Sequence, residues 1–147
     1  MAPCVRGSRC YPKARFVVLD GGLVRDRLTG LLWQQQGSTT KMSWADAQSY
    51  CSSLASGGSA FRLPTLRELD SLVDPTTSPG PTMDKAFPST GTQVYWTSSP
   101  YVFTGAADPT GYARYGDFSS VDSNDCMSGT VQNWSAVAAS HMVRCVR

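Results

Sequence analysis

Along this chain, apolar residues alternate with polar ones in some stretches and recur at three- and four-residue spacing in others. "RFVVLDGG" (15–22) is an apolar run closed by two glycines and predicts a strand ending in a turn. In the next stretch Leu23, Arg25 and Arg27 alternate with Val24, Asp26 and Leu28, before a second turn at Thr29-Gly30. That mixed pattern predicts an exposed hairpin. "MSWADAQSYCSSLASGG" (42–58) carries the clearest helix signal. Ser43 is a natural N-cap, with Asp46 near the positive helix end. Trp44, Ala47, Cys51 and Leu54 fall on one helical face, and Gly57-Gly58 terminates the helix.

A corner follows at "FRLPTLREL" (61–69). Pro64 forces Leu63 out of the helical region. Thr65 then caps a second helix, with Glu68 at the capping-box position. Leu66, Leu69, Leu72 and Val73 form its apolar stripe, and Asp74-Pro75 ends it. Residues 75–92 are rich in Pro, Thr and Gly and predict a long surface loop. "VYWTSSPYVF" (94–103) predicts a buried strand centred on Trp96. Over residues 111–121 a further strand sets Tyr112, Arg114 and Gly116 against Ala113, Tyr115 and Asp117. "HMVRCVR" (141–147) predicts a closing strand with Val143 and Cys145 on one face and Arg144 on the other. Two helices with short strands and long loops indicate an α+β fold. The 147 residues suit one domain, read as an arm over 1–15 and a domain over 16–147.

Composition narrows the function. Charged residues make up only 16% of the chain and the net charge is +2, so bulk electrostatics do not point to nucleic acid. Ser, Thr, Gly and Asn supply the polarity, as in loop-rich extracellular modules. Arg6, Arg9, Lys13 and Arg15 precede the first acid, Asp20, whereas Asp108, Asp117, Asp122 and Asp125 crowd a later stretch. Both ends read first as solvated surface. No run of 18 apolar residues exists, so membrane insertion is not expected. "MAPCVRGSRC" lacks an apolar core and is not an intact secretory signal; the chain is cytoplasmic, or it is a mature or excised domain.

The cysteines bear on that choice. They are Cys4, Cys10, Cys51, Cys126 and Cys145, with no CxxC pair and with His141 as the one histidine. Zinc needs four closely paired N or S ligands, so no metal site is expected. On a strand His141 and Cys145 stand about 13 Å apart, which argues against Cys–His catalysis. A surface or edge histidine is expected instead. Disulfides account better for four of the five cysteines. Cys51 and Cys145 both have apolar neighbours and should face the core, where a bridge would tie the middle of the chain to its end. Cys4, Cys10 and Cys126 compete for a second bridge; Cys4–Cys10 is the preferred pairing and Cys10–Cys126 its competitor.

Taken together, "LTGLLW", "WADAQSYCSSL", "FRLPTLRELDSLVD", "AFPST", "YWTSS" and "VRCVR" occur in an order that resembles a family of bacterial extracellular domains. It is the type found at the C-terminus of a bacterial collagen-like adhesin, the Lcl C-terminal type, and it looks related to the C-type-lectin-like superfamily. The resemblance covers residues 16–147. It implies a lectin-like fold, with two helices packed on small antiparallel sheets, long loops, and adjacent N- and C-terminal strands. It supports a Cys51–Cys145 bridge and implies that "FRLPT" and "YWTSS" are scaffold. The adhesin relative is similar to a trimeric glycosaminoglycan binder, but its basic binding residues map to no motif here. The Glu-Pro-Asn and Trp-Asn-Asp calcium motifs of true C-type lectins are absent, and "QNW" (132–134) does not replace them.

With those motifs assigned to scaffold, binding is expected between 101 and 140, where Tyr, Ser, Gly, Asp and Asn supply nearly half the residues. That composition suits a recognition surface on loops. Tyr112, Tyr115, Phe118 and Trp134 offer stacking faces, and Arg114, Asp117, Asp122 and Asn124 offer polar contacts. Asp117, Asp122, Asn124 and Asp125 are hard oxygen ligands, but their spacing matches no EF-hand loop. Proteins diversified by retroelements use the same scaffold with variable residues near the C-terminus, and the content of 112–125 is compatible with that.

The expectation is a non-catalytic module, secreted or on the cell surface, that recognises a glycan or protein on a cell surface and needs no cofactor. Homo-oligomer formation is left open. One alternative is a structural subunit of a surface fibre or appendage. The other is an enzyme, because the formylglycine-generating enzymes resemble this superfamily fold; Cys126 and Cys145 would then be the reactive pair.

Overall fold

A computed structural model describes residues 14–54, 59–73, 83–88, 94–101, 111–118 and 131–147, of which 117 and 131–134 are described by backbone alone. Among the described residues eight elements follow one another: β1 (Phe16–Leu19), β2 (Leu23–Asp26), β3 (Leu32–Gln34), α1 (Trp44–Ser53), α2 (Leu66–Asp70), β4 (Val94–Pro100), β5 (Tyr112–Asp117) and β6 (Val131–Ala136). The architecture is α+β. Strands β1-β2-β3 form one antiparallel sheet, and β4-β5-β6 form a second.

Local chemistry starts both helices as the sequence predicts. The Ser43 side chain accepts from the Asp46 N–H at α1, and Ala47 and Cys51 are buried below the cap. At α2 the capping box is complete. Thr65 Oγ1 accepts from the Glu68 N–H (3.3 Å), and Glu68 Oε2 accepts from the Thr65 N–H (2.7 Å). Arg62 adds two hydrogen bonds to the same carboxylate, both 2.8 Å. The Arg62 contact, opposed by burial and reinforced by the Thr65 N–H, holds the Glu68 carboxyl below its ordinary pKa. The Pro64 carbonyl accepts from Ser98 N–H (2.8 Å), and Ser99 Oγ accepts from Leu66 N–H (3.2 Å), so "FRLPT" and "TSS" fasten to each other.

The hairpin of the first sheet departs from its expected exposure. Val24 and Asp26 are fully buried, while Arg25, Arg27 and Leu28 face solvent. Asp26 is tolerated inside because it is saturated with donors: Arg15 Nε (2.9 Å) and Nη2 (2.6 Å), the Leu28 N–H (2.9 Å) and the Thr29 hydroxyl (2.8 Å). Burial pushes this carboxyl up, but the bonds from Arg15, Thr29 and Leu28 outweigh it and leave it below its ordinary value. Arg15 also donates to the Ser71 carbonyl (2.9 Å), tying the start of β1 to the end of α2.

The C-terminal segment makes isolated bridges instead of the expected continuous strand. It bonds in turn to Met42 (through His141), Val94 and Trp96 (through Met142), Ser38 (through Val143), Gln34 (through Cys145), Arg62 (through Val146) and Leu32 (through Arg147). The segment is thus a strap between the two sheets. Its partner in the first sheet is β3; β1 pairs with β2, so the first strand and the last segment are not the adjacent pair expected.

The strap sets Arg144 opposite Val143 and Cys145, as the alternation predicts, and both of its faces are interior. Val143 and Cys145 enter one apolar cluster with Ala47, Cys51, Phe61, Leu63, Trp96 and Ala113. The opposite face of the strap meets a second cluster, around Trp33, Leu69, Leu72, Phe87, Tyr95 and Val146. Alternation therefore leads from one core to another, and Arg144 is fully buried. Its guanidinium donates to the carbonyls of Gln34 (2.8 Å) and Gln35, and to the Tyr95 hydroxyl (3.3 Å). Burial lowers its pKa, and Tyr95 opposes that shift.

Cys51 and Cys145 are joined by a disulfide, Cα–Cα 5.5 Å, across 94 residues of sequence. A closed loop of that size contributes about 4–5 kcal/mol in the chain-entropy account. Cys4, Cys10 and Cys126, and so the choice between Cys4–Cys10 and Cys10–Cys126, lie outside the described residues.

Candidate recognition surface on the second sheet

Strand β5 lies between β4 and β6, and its placement organises the expected binding residues. Sequence reasoning assigned 131–136 to a recognition loop, whereas they form β6. The polar string Val-Gln-Asn-Trp-Ser-Ala carries little apolar alternation, so its strand character comes from pairing with β5, a contact that no local signal announces. In that register Arg114 lies opposite Trp134, Tyr112 opposite Ala136, Tyr115 opposite Asn133 and Asp117 opposite Val131. Five of the seven expected ligand-binding residues therefore fall on two paired strands. The other two, Asp122 and Asn124, lie outside the described residues, as do the side chains of Asp117 and Trp134.

The two parities of β5 have different surroundings. On one, Gly116 meets Leu69 of α2, and Phe118 beyond the strand is 3% exposed, its ring 5.9 Å from that of Tyr95. Phe118 is therefore core, not a stacking face. Farther along the same parity, Tyr112 and Arg114 are only half-buried. The Arg114 guanidinium stands 5.0 Å from the centroid of the Tyr101 ring, and the Tyr101 N–H donates to the Tyr112 carbonyl (3.1 Å). Tyr101 follows directly on β4. Sequence reasoning placed it inside a buried strand; Pro100, which ends β4, was the signal that it stands at an edge.

On the other parity, Ala113 is buried and Tyr115 packs against the disulfide-containing cluster. The Tyr115 ring lies 4.9 Å from His141, whose ring meets Trp96 at 4.4 Å. His141 is half-buried among aromatics, in place of the surface or edge position expected. Tyr115 therefore shares its surface with the core, unlike Tyr112 and Arg114.

Among the described residues no group of three His, Cys, Asp or Glu side chains is placed to hold a metal ion, and no helix is long and apolar enough to cross a membrane.

These features define a disulfide-tied α+β domain whose second sheet presents a cationic and aromatic patch. The family described as the Lcl C-terminal domain matches residues 22–147, and the chain belongs to that family. No curated protein and no solved structure shows a significant match to the chain.

Proposed function

We propose that this chain is a non-catalytic binding domain of adhesin type, secreted or surface-associated, and that the Tyr101–Tyr112–Arg114 patch contacts a glycan or protein on a cell surface. The observation that carries this reading is the stacking of Arg114 on Tyr101 beside half-buried Tyr112. A guanidinium on an aromatic face is oriented in advance and keeps donors at its edge. Tyrosines beside it offer rigid area at small entropic cost. Membership of the Lcl C-terminal family supports a surface-associated, adhesin-like role. The C-type-lectin-like relationship of the fold belongs to the same proposal, supported by the two helices and two small sheets.

The bridge between Cys51 and Cys145 also supports a non-catalytic reading. With that sulfur engaged, Cys145 is not available as one of a reactive cysteine pair. The test is a glycan array and a cell-surface binding assay with the wild-type domain and its Arg114→Ala variant. Binding by the wild type that the variant loses supports the patch; equal binding by both overturns it.

A further inference from the structure

A separate cleft of 330 Å³ opens between the first sheet and the C-terminal end of α1. Leu23, Leu54 and Phe61 give it apolar lining, and Gln34, Gln36 and the Gly21-Gly22 turn give it polar lining. Both glycines have positive φ (81° and 73°) and a Cβ on either would meet nothing within 4 Å. The backbone bend thus needs glycine for its conformation, and the turn stays open.

We infer that this cleft binds one uncharged pyranose sugar ring. Three observations argue for that class. No charged side chain lines the cleft among the described residues, so no ion is matched there. Its volume lies near the lower end of the roughly 300–1,000 Å³ range of ligand sites, suited to a single ring. Its lining sets apolar side chains beside amide groups, with Leu23 paired to Gln34, which matches a ring with a C–H face and a hydroxyl rim.

Gln34 is prepared for that role. Its Oε1 accepts from the Cys145 N–H (3.2 Å), which can only donate, so the amide orientation is fixed. Its Nε2 donates one hydrogen to the Tyr50 hydroxyl (2.8 Å), leaving the second as a positioned donor. Cys145 is itself anchored through its disulfide to Cys51. A donor immobilised before binding loses little entropy on contact. Gln36 is exposed and supplies the adaptable partner.

The test is a titration of the intact domain, followed by amide resonances, with the methyl pyranosides of glucose, galactose and mannose. Glucuronate and N-acetylglycinamide serve as the charged and peptide-like probes. The expected result is saturable shifts at Gly21, Gly22, Gln34 and Gln36 for at least one neutral sugar, with a dissociation constant on the order of millimolar. Gln36→Ala should weaken that affinity about fivefold, the loss of one hydrogen bond, with an unchanged melting temperature. Lys41→Ala, exposed and outside the cleft, should have no effect. Absence of saturation, shifts confined to β5, an unaltered affinity in Gln36→Ala, or a stronger response to glucuronate or the peptide probe would each overturn the inference.

Discussion

The Cβ that Gly116 lacks would stand 2.7 Å from Cδ2 of Leu69. Strand β5 contributes no side chain where it meets helix α2 at this point, and the Leu69 side chain fills the space. Leu69 is fully buried and Phe118 crowds the same spot. Gly116→Ala therefore forces an overpacked contact and should lower stability by about 1–3 kcal/mol. Leu69→Ala should cost about 2–5 kcal/mol through the cavity it leaves. In the double variant the methyl group introduced on β5 occupies part of that cavity, so the two losses should sum to more than the measured total. Denaturant unfolding of the three variants checks the coupling.

Acid should destabilise the fold through two carboxyls. Asp26 and Glu68 both sit below their ordinary values in the folded chain. Each contributes stability that is present above the unfolded-state value of about 4, and that is lost as pH falls through the lower folded value. Melting temperature measured between pH 6 and pH 2 should fall at the acid end. Asp26→Asn should melt lower at pH 6 and show a shallower acid decline. An equally steep decline in that variant would remove Asp26 from the account. The Arg62–Glu68 pair is half in water, so its share should be the smaller one.

Reduction should act on the whole domain. Removing the Cys51–Cys145 bridge, by reductant or by Cys51→Ser, should cost about 4–5 kcal/mol in the chain-entropy account. Melting curves with and without reductant supply the number. Peptide mapping that finds both sulfurs as thiols in folded protein would contradict the bridge.

Arg144 should resist conservative exchange. A lysine carries three donors on one atom and cannot reproduce the span from Gln34 and Gln35 to the Tyr95 hydroxyl. Arg144→Lys should lose about 1–3 kcal/mol, the cost of buried acceptors left without donors. Chemical denaturation measures it, with Arg25→Lys, an exposed arginine, as the control near zero.

Binding and folding should separate along β5. Tyr112→Ala and Arg114→Ala should weaken surface binding with little change in melting temperature. Tyr115→Ala should instead lower the melting temperature, because its ring packs on His141 and the adjoining cluster. Paired binding and melting measurements on the three variants distinguish the two roles.

What the sequence revealed follows the range of the interactions. Both helix starts were legible because a cap acts over three residues, as Ser43 with Asp46 and Thr65 with Glu68 show. The Cys51–Cys145 pairing was legible from apolar neighbours and from the family resemblance. Strand β6 was not, since Gln132, Asn133 and Ser135 carry no alternation and β5 supplies the pairing. The alternation set Arg144 opposite Val143 and Cys145, as found, but a period of two distinguishes two faces without saying that both are interior. The Tyr101–Arg114 contact joins a residue just past β4 to one on β5, and nothing near Arg114 announces it.

The strap of residues 141–147 has a temporal consequence. Synthesis runs from amino to carboxyl end, and both apolar clusters draw members from this last stretch: Val146 for one, Val143 and Cys145 for the other. A nascent chain short of residue 141 holds two unsealed interiors, and its Cys51 has no Cys145 to join. Closure of both clusters, and of the Cys51–Cys145 bridge, therefore waits until residues 141–147 have been made, and the state of those two sulfurs reports whether it has happened.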